Sequence, residues 1–122
     1  MANPFVHIEL STDDLGKAKT FYGALLGWNL KDEEMPDGTY TMIDVGEGTG
    51  GGMVQGMNPG APPAWMPYIG VDDVKASTEK VKALGGKVHR DVTEIPGMGS
   101  FSIVADPSGA VFGLWTTAGG AT

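Results

Sequence analysis

His7 and Glu9 are the residues whose types and spacing are best suited to chemistry. They lie two positions apart in Phe5-Val6-His7-Ile8-Glu9-Leu10, a segment that is predicted to be a strand. Residues two apart in a strand point to the same face, so an imidazole and a carboxylate would stand side by side. Such a pair could bind a weak ion or act as acid and base, or His7 could be a neutral group that orients a polar ligand. The other histidine, His89, is predicted to be solvated on an edge strand.

The glycine-rich segment Gly46-Glu47-Gly48-Thr49-Gly50-Gly51 matches the fingerprint of dinucleotide-binding proteins. That fingerprint must open a helix whose N-terminus receives the pyrophosphate. Residues 52–56 follow the segment directly, and their pattern is that of a strand. We therefore interpret the segment as a hairpin turn.

The composition excludes several classes of partner and of chemistry. The formal net charge is −7 at pH 7, whereas binding to a phosphate backbone requires clustered Lys and Arg. The sequence contains no cysteine, which excludes disulfides, thiolate metal ligands and thiol nucleophiles. No stretch approaches the roughly 20 apolar residues of a membrane span, and the N-terminus does not have the pattern of a signal peptide. We expect no nucleic-acid partner, no membrane partner and a cytoplasmic location.

The elements that must position His7 and Glu9 are short, and their order is repeated. Apolar residues spaced by three and four predict helices over about 14–26 and 74–84, and Gly27 favours a stop after the first. Strands are predicted near 5–10, 28–34, 39–45 and 51–57, and again near 66–71, 87–93, 100–105 and 110–116.

An internal repeat supports this reading. When the halves are aligned, Asp13-Asp14-Leu15 falls on Asp72-Asp73-Val74, and Gly52 falls on Gly113. We predict an α+β fold in a single domain over 1–122, made of two tandem βαβββ modules whose curved mixed sheets surround a cavity. The first module covers about 4–57, the linker 58–65 and the second module about 66–117. The alternative is a sandwich filled by side chains, although glycines in the strands favour a void.

The sequence resembles the vicinal oxygen chelate superfamily, which includes glyoxalase I, extradiol dioxygenases and bleomycin-binding proteins. The resemblance lies in Phe5-Val6-His7-Ile8-Glu9-Leu10, in Phe21-Tyr22 with Leu25-Leu26-Gly27-Trp28, and in the closing segment from Asp106 to Trp115. It covers nearly the whole chain and is specific for the fold rather than for an activity. It implies a homodimer, in which the modules pair either within one chain or across the dimer.

The resemblance also implies where a metal would bind. Metal-dependent members hold one divalent ion with side chains from the first and last strands of each module. His7 matches the first of these positions, but the other three are Met66, Gly52 and Gly113, which cannot supply the usual ligands. The sequence therefore predicts a member that lacks most metal ligands, and no cofactor is expected.

The predicted pocket is largely apolar, carries aromatic side chains and suits a small organic ligand. Its predicted ligand-binding residues are His7, Glu9, Tyr40, Met42, Gly52, Met66, Tyr68, Phe101, Gly113 and Trp115, and further candidates for the wall are Phe5, Met53, Trp65 and Ile103. The segment 94–99 is either a lid over the pocket or a plain hairpin.

These observations leave three hypotheses for the function. The first is a metal-free protein that binds a small organic molecule. The second is a metal-dependent enzyme, of the lactoylglutathione lyase or dioxygenase type, with a rearranged site in which His7 and Glu9 are the candidate catalytic residues. The third is a structural or regulatory domain. The sequence identifies neither a ligand nor a reaction.

Overall fold

The computed structural model describes residues 2–35, 38–56 and 62–118, within which the two halves of the chain repeat one order of elements. In chain order the elements are β1 (Phe5–Thr12), α1 (Leu15–Leu26), β2 (Asn29–Met35), β3 (Gly38–Asp44), β4 (Gly51–Gln55), β5 (Ala64–Gly70), α2 (Val74–Ala83), β6 (Lys87–Ile95), β7 (Gly99–Ala105) and β8 (Val111–Thr117). The repeated β-α-β-β-β order confirms the predicted α+β fold. No helix among the described residues is long and apolar enough to cross a membrane.

The chain forms two compact units, and the N-terminal residues belong to the second. The first module is His7–Met66, and the second module is Pro67–Thr122 together with Met1–Val6. The carbonyl of Pro4 accepts a 2.9 Å hydrogen bond from the backbone N–H of Gly70. The predicted first module, which starts at about residue 4, therefore includes a few residues that pack with the second module.

The predicted linker, 58–65, overlaps the start of a strand. β5 begins at Ala64, so the last part of the predicted linker is strand. Residues 57–61, which contain the predicted end of the fourth strand and the start of the linker, lie outside the described residues.

The first module is a four-stranded sheet with α1 packed on one face. Its strands are ordered β2-β3-β4-β1, and β1 and β4 run parallel. Asp14 begins α1 by accepting a 3.0 Å hydrogen bond from the N–H of Lys17, and Gly27 ends it with a left-handed φ of 69°. The core under the helix contains Leu10, Ile43 and Met53.

The second module has the same arrangement, with strands ordered β5-β8-β7-β6 and with β5 parallel to β8. Its helix, α2, is capped by Asp73, and the core beneath it contains Val74, Val104 and Leu114. Thr78 and Ser102 are fully buried here and share a 2.8 Å hydrogen bond, which satisfies both hydroxyls away from water.

The alternation of side chains along the strands gives each sheet a helix-packed face and a helix-free face. In the first module the helix-free face carries His7, Glu9, Tyr40, Met42 and Gly52, and Gly52 lies opposite both Glu9 and Met42 in the strand register. In the second module Gly113 lies opposite both Tyr68 and Ile103. The two helix-free faces therefore carry most of the residues predicted to line a pocket.

Met53 does not belong with those residues. Its exposed fraction is 0%, and it packs in the core under α1, because the neighbouring position in β4 points to the opposite face. The sequence pattern alone did not distinguish the two faces of this glycine-rich strand.

Replacing Met53 and Met42 in turn tests this assignment of faces. Met53→Ala should lower the free energy of unfolding by about 2–5 kcal/mol, because it opens a cavity in a core. Met42→Ala removes the same atoms from a half-buried side chain and should cost clearly less. Urea unfolding of both variants measures the difference, and equal losses would contradict the assignment.

Candidate functional site

His7, Tyr40 and Glu9 form a chain of hydrogen bonds on the helix-free face of the first module. The Nε2 atom of His7 lies 2.6 Å from Oη of Tyr40, and that hydroxyl donates to Oε1 of Glu9 over 3.0 Å. The His7 and Tyr40 rings are nearly parallel, at 21°, with centroids 6.1 Å apart. All three side chains are half-buried. Strand β1 supplies the imidazole and the carboxylate, and β3 supplies the phenol that joins them.

The single proton of the phenol gives this chain a direction. Because Tyr40 donates its proton to Glu9, His7 must donate from Nε2 to the phenol oxygen. A neutral His7 in this tautomer carries its lone pair on Nδ1. The three groups form a continuous path along which the phenol can pass a proton between an imidazole and a carboxylate.

Burial sets the charge of His7. Loss of contact with water disfavours the imidazolium and lowers the pKa of His7 below its ordinary value of 6.5. At neutral pH the side chain is therefore predominantly the neutral imidazole that the hydrogen-bond chain requires.

Gly52 provides the room that Tyr40 occupies. A Cβ atom at this position would overlap the far end of the Tyr40 ring. The second module repeats the arrangement with a different ring, since a Cβ on Gly113 would overlap the ring of Tyr68. In both modules, the glycine at the predicted last-strand ligand position has an aromatic ring lying against it.

The helix-free face of the second module is aromatic. Tyr68 and Phe101 meet edge to face, with centroids 6.2 Å apart, and both are almost fully buried. Trp115 packs against Gly99, where an added Cβ would meet its ring at 2.6 Å. The structure therefore gathers Tyr68, Phe101, Gly113 and Trp115 on one face of this module.

Several other predicted residues lie elsewhere. Trp65 packs with Tyr22 and Trp28 beside α1, at centroid distances of 5.4 and 6.2 Å. Met66 is half-buried in β5, and Phe5 is 61% exposed at the start of β1.

The two loops that were considered for function both form turns. The segment 46–50 joins the antiparallel strands β3 and β4, as predicted for a hairpin. Between β6 and β7, the N–H of Met98 donates to the carbonyl of Ile95 over 3.0 Å, so 94–99 forms a closed hairpin. His89 is exposed in β6.

The residues of this site do not fit a metal centre of the type that the resemblance implies. Within the described ranges, no three His, Cys, Asp or Glu side chains come together in a group that could hold a metal ion. His7 and Glu9 are two potential metal ligands, and both side chains are hydrogen-bonded to Tyr40. A divalent ion held by protein side chains normally has three or more of them as ligands.

Residues 5–114 match the model of the Glyoxalase/Bleomycin resistance protein/Dioxygenase superfamily. The chain is 40% identical over 114 residues to the CFP32 protein of Mycobacterium bovis, provisionally named a glyoxylase, with 88% of this chain and 43% of that protein covered. It is 27% identical over 126 residues to the anthracycline biosynthesis protein DnrV of Streptomyces peucetius, covering 88% and 44%. The chain thus spans less than half the length of these relatives.

Solved structures share the fold at low identity. A hypothetical protein, BH1468, from Bacillus halodurans superposes with a TM-score of 0.74 at 15% identity, covering 100% of this chain and 99% of that one. The methylmalonyl-CoA epimerase of Mycobacterium tuberculosis gives a TM-score of 0.70 at 16% identity, covering 93% and 87%.

Gly52→Ala tests whether Gly52 holds the site open. The added methyl group should push the Tyr40 ring away and break both hydrogen bonds, with little effect on stability because only the end of a side chain must move. The ¹⁵N chemical shifts of the His7 ring report this change. Gly16→Ala, on the exposed surface of α1, is the matched control, and unchanged His7 shifts in Gly52→Ala would refute the role given to Gly52.

The titration of His7 tests its burial. Because its folded pKa is lowered from 6.5, NMR should give a midpoint below that value. The sign follows from linkage: His7 contributes stability above the unfolded pKa, and this contribution is lost as the pH falls through the folded pKa. Urea unfolding across this pH range should show that the free energy of unfolding falls more steeply with decreasing pH in the natural protein than in His7→Gln. A midpoint at or above 6.5 would contradict the burial argument.

Proposed function

The chain belongs to the Glyoxalase/Bleomycin resistance protein/Dioxygenase superfamily, and from that premise we propose that it is a metal-free module that binds a small organic molecule at His7, Tyr40 and Glu9. The observation that carries this proposal is the 2.6 Å contact between His7 Nε2 and Tyr40 Oη. Nε2, one of the two imidazole nitrogens that could bind a metal, already has a protein partner, and that partner in turn donates a hydrogen bond to a carboxylate.

The strand positions support the same proposal. Gly52 accommodates the Tyr40 ring, and Gly113 accommodates the Tyr68 ring. Substitution by glycine removes a ligand, and the ring that fills the space also hinders a replacement ligand from a neighbouring position. A metal at Nε2 of His7 would have to displace Tyr40 and give up a hydrogen bond in a half-buried site.

A small organic ligand suits the chemistry of this face. The site combines a neutral imidazole, a phenol and a carboxylate with the thioether of Met42, which resembles the pattern of a few fixed polar groups in an apolar lining. The names of similar proteins agree with that class: DnrV is named for anthracycline biosynthesis, and a methylmalonyl-CoA epimerase of this fold was solved with methylmalonyl-CoA.

A second candidate is a metal-dependent enzyme of the glyoxalase or dioxygenase type with a rearranged site. The name of the CFP32 protein, at 40% identity, favours it, and His7 and Glu9 do lie on one face of β1. It requires Tyr40 to swing away and further ligands to be supplied. Homodimer formation and a cytoplasmic location stay predictions from the sequence.

Native mass spectrometry combined with elemental analysis of the freshly purified protein separates these candidates. The proposal predicts less than stoichiometric Zn, Ni, Mn or Fe, and a co-purified or screened organic ligand. Tyr40→Phe removes one hydroxyl and should lower the affinity for that ligand by about tenfold, which is the effect of losing a hydrogen bond to a charged group. Tyr22→Phe, which removes the phenol hydroxyl of a residue outside the site, is the matched control. One tightly bound metal ion per chain that is lost in His7→Ala would overturn the proposal.

A further inference from the structure

Arg90 is the chain's only arginine, and the local structure of β6 turns it to the helix-free face of the second module. Val88 lies opposite Val104 in β7, Arg90 opposite Ile103 and Thr93 opposite Phe101. The register shifts twice, once on each side of Arg90. Each shift adds a residue to β6 without a partner in β7.

These two irregularities reverse the direction of Arg90. In a regular strand, Val88, Arg90 and Val92 would point to the same face. Val88 and Val92 do share a face, because both pack against the core under α2. Arg90 instead lies opposite Ile103, which faces away from that core and is paired with Gly113. Bulges that redirect one side chain in this way are common beside binding sites.

The guanidinium of Arg90 rests on an aromatic surface. Its central carbon lies 5.2 Å from the centroid of the Phe101 ring, which packs edge to face with Tyr68. This cation–π contact uses none of the N–H groups of the guanidinium as hydrogen-bond donors. Among the residues that the structure describes, no carboxylate lies within 4.0 Å of it.

The first module provides an internal comparison. Lys31 lies opposite Met42, the residue that aligns with Ile103, and is 3.6 Å from Glu33. Glu33 lies opposite Tyr40, whereas the corresponding residue in the second module is Thr93, opposite Phe101. The cation of the first module therefore has a carboxylate beside it, whereas the position equivalent to Glu33 in the second module is a neutral threonine, in a chain whose net charge is −7.

We propose that Arg90 anchors the anionic group of an organic ligand, a carboxylate or a phosphate monoester, whose apolar part lies on Trp115, the half-buried aromatic side chain that is paired with Phe101 in the strand register. The inference rests on the proposed function in taking the ligand to be a small organic molecule. A guanidinium donates two parallel hydrogen bonds to either anion, and the contact with Phe101 favours the position of Arg90 over this face. The simpler explanation, that the bulges only keep a charge out of the core, predicts no role in binding.

NMR titration with 2-naphthoate, 2-naphthyl phosphate and neutral 2-naphthamide tests this proposal. The two anions should bind more tightly than the amide and shift the resonances of Phe101 and Trp115. Arg90→Met should lower the affinity for both anions by about tenfold or more, since the guanidinium hydrogen bonds are lost, and should leave the affinity for the amide unchanged. Arg90→Lys keeps the positive charge but not the two parallel N–H donors, so its affinity for the anions should lie between those of Arg90→Met and the natural protein. Preference for one of the two anions identifies the group that Arg90 recognises.

Lys31→Met is the matched control, and it should bind all three probes as the natural protein does. Equal affinity for amide and anions, unchanged anion affinity in Arg90→Met, or no binding up to the solubility limit would overturn the proposal. If Arg90→Met does not fold, Arg90→Lys decides the result. Tyr40→Phe distinguishes the two proposals. If only Tyr40→Phe weakens binding, the proposed function stands and the role of Arg90 is refuted. If only Arg90→Met weakens binding, the anion site at Arg90 stands and the site at Tyr40 is refuted.

Discussion

The packing of the Tyr40 ring against Gly52 is the contact on which the candidate site depends. Only a residue without a side chain leaves space there for the ring, and only a ring in that position carries its hydroxyl to both His7 and Glu9. The hydroxyl then determines which nitrogen of His7 carries the proton. Burial, which lowers the pKa of the imidazole, keeps the ring neutral in this arrangement. One missing side chain thus accounts for the geometry of the site and for the tautomer of His7.

The two modules use one scaffold for different surfaces. In each, a glycine of the last strand lies under an aromatic ring, but the ring is Tyr40 in the first module and Tyr68 in the second. The first module surrounds its ring with titratable groups. In the second module, Phe101 packs edge to face against the Tyr68 ring, and Arg90 lies over Phe101. Duplication followed by divergence explains this difference, because the fold depends on the helix-packed faces and leaves the helix-free faces able to change.

The sequence predicted the fold more completely than the site. The spacing of apolar residues by three and four, the stop at Gly27 and the repeat are local signals, and they identified both helices and the α+β order. The pairing of His7 with Glu9 on one face also follows from strand alternation. The role of Tyr40 did not, because it depends on how β3, β4 and β1 are registered against one another. The orientation of Arg90 was not predictable, since alternation alone places it with Val88 and Val92 and the bulges depend on packing against β7.

A crystal structure grown with one equivalent of zinc, with diffraction collected at the zinc absorption edge, tests the central claim most directly. The claim is that His7 and Glu9 are committed to Tyr40 rather than to a metal. The account predicts no anomalous peak within bonding distance of His7, and the Tyr40 hydroxyl bonded to both His7 Nε2 and Glu9. An anomalous peak coordinated by His7 and Glu9, with the Tyr40 ring displaced from Gly52, would contradict it.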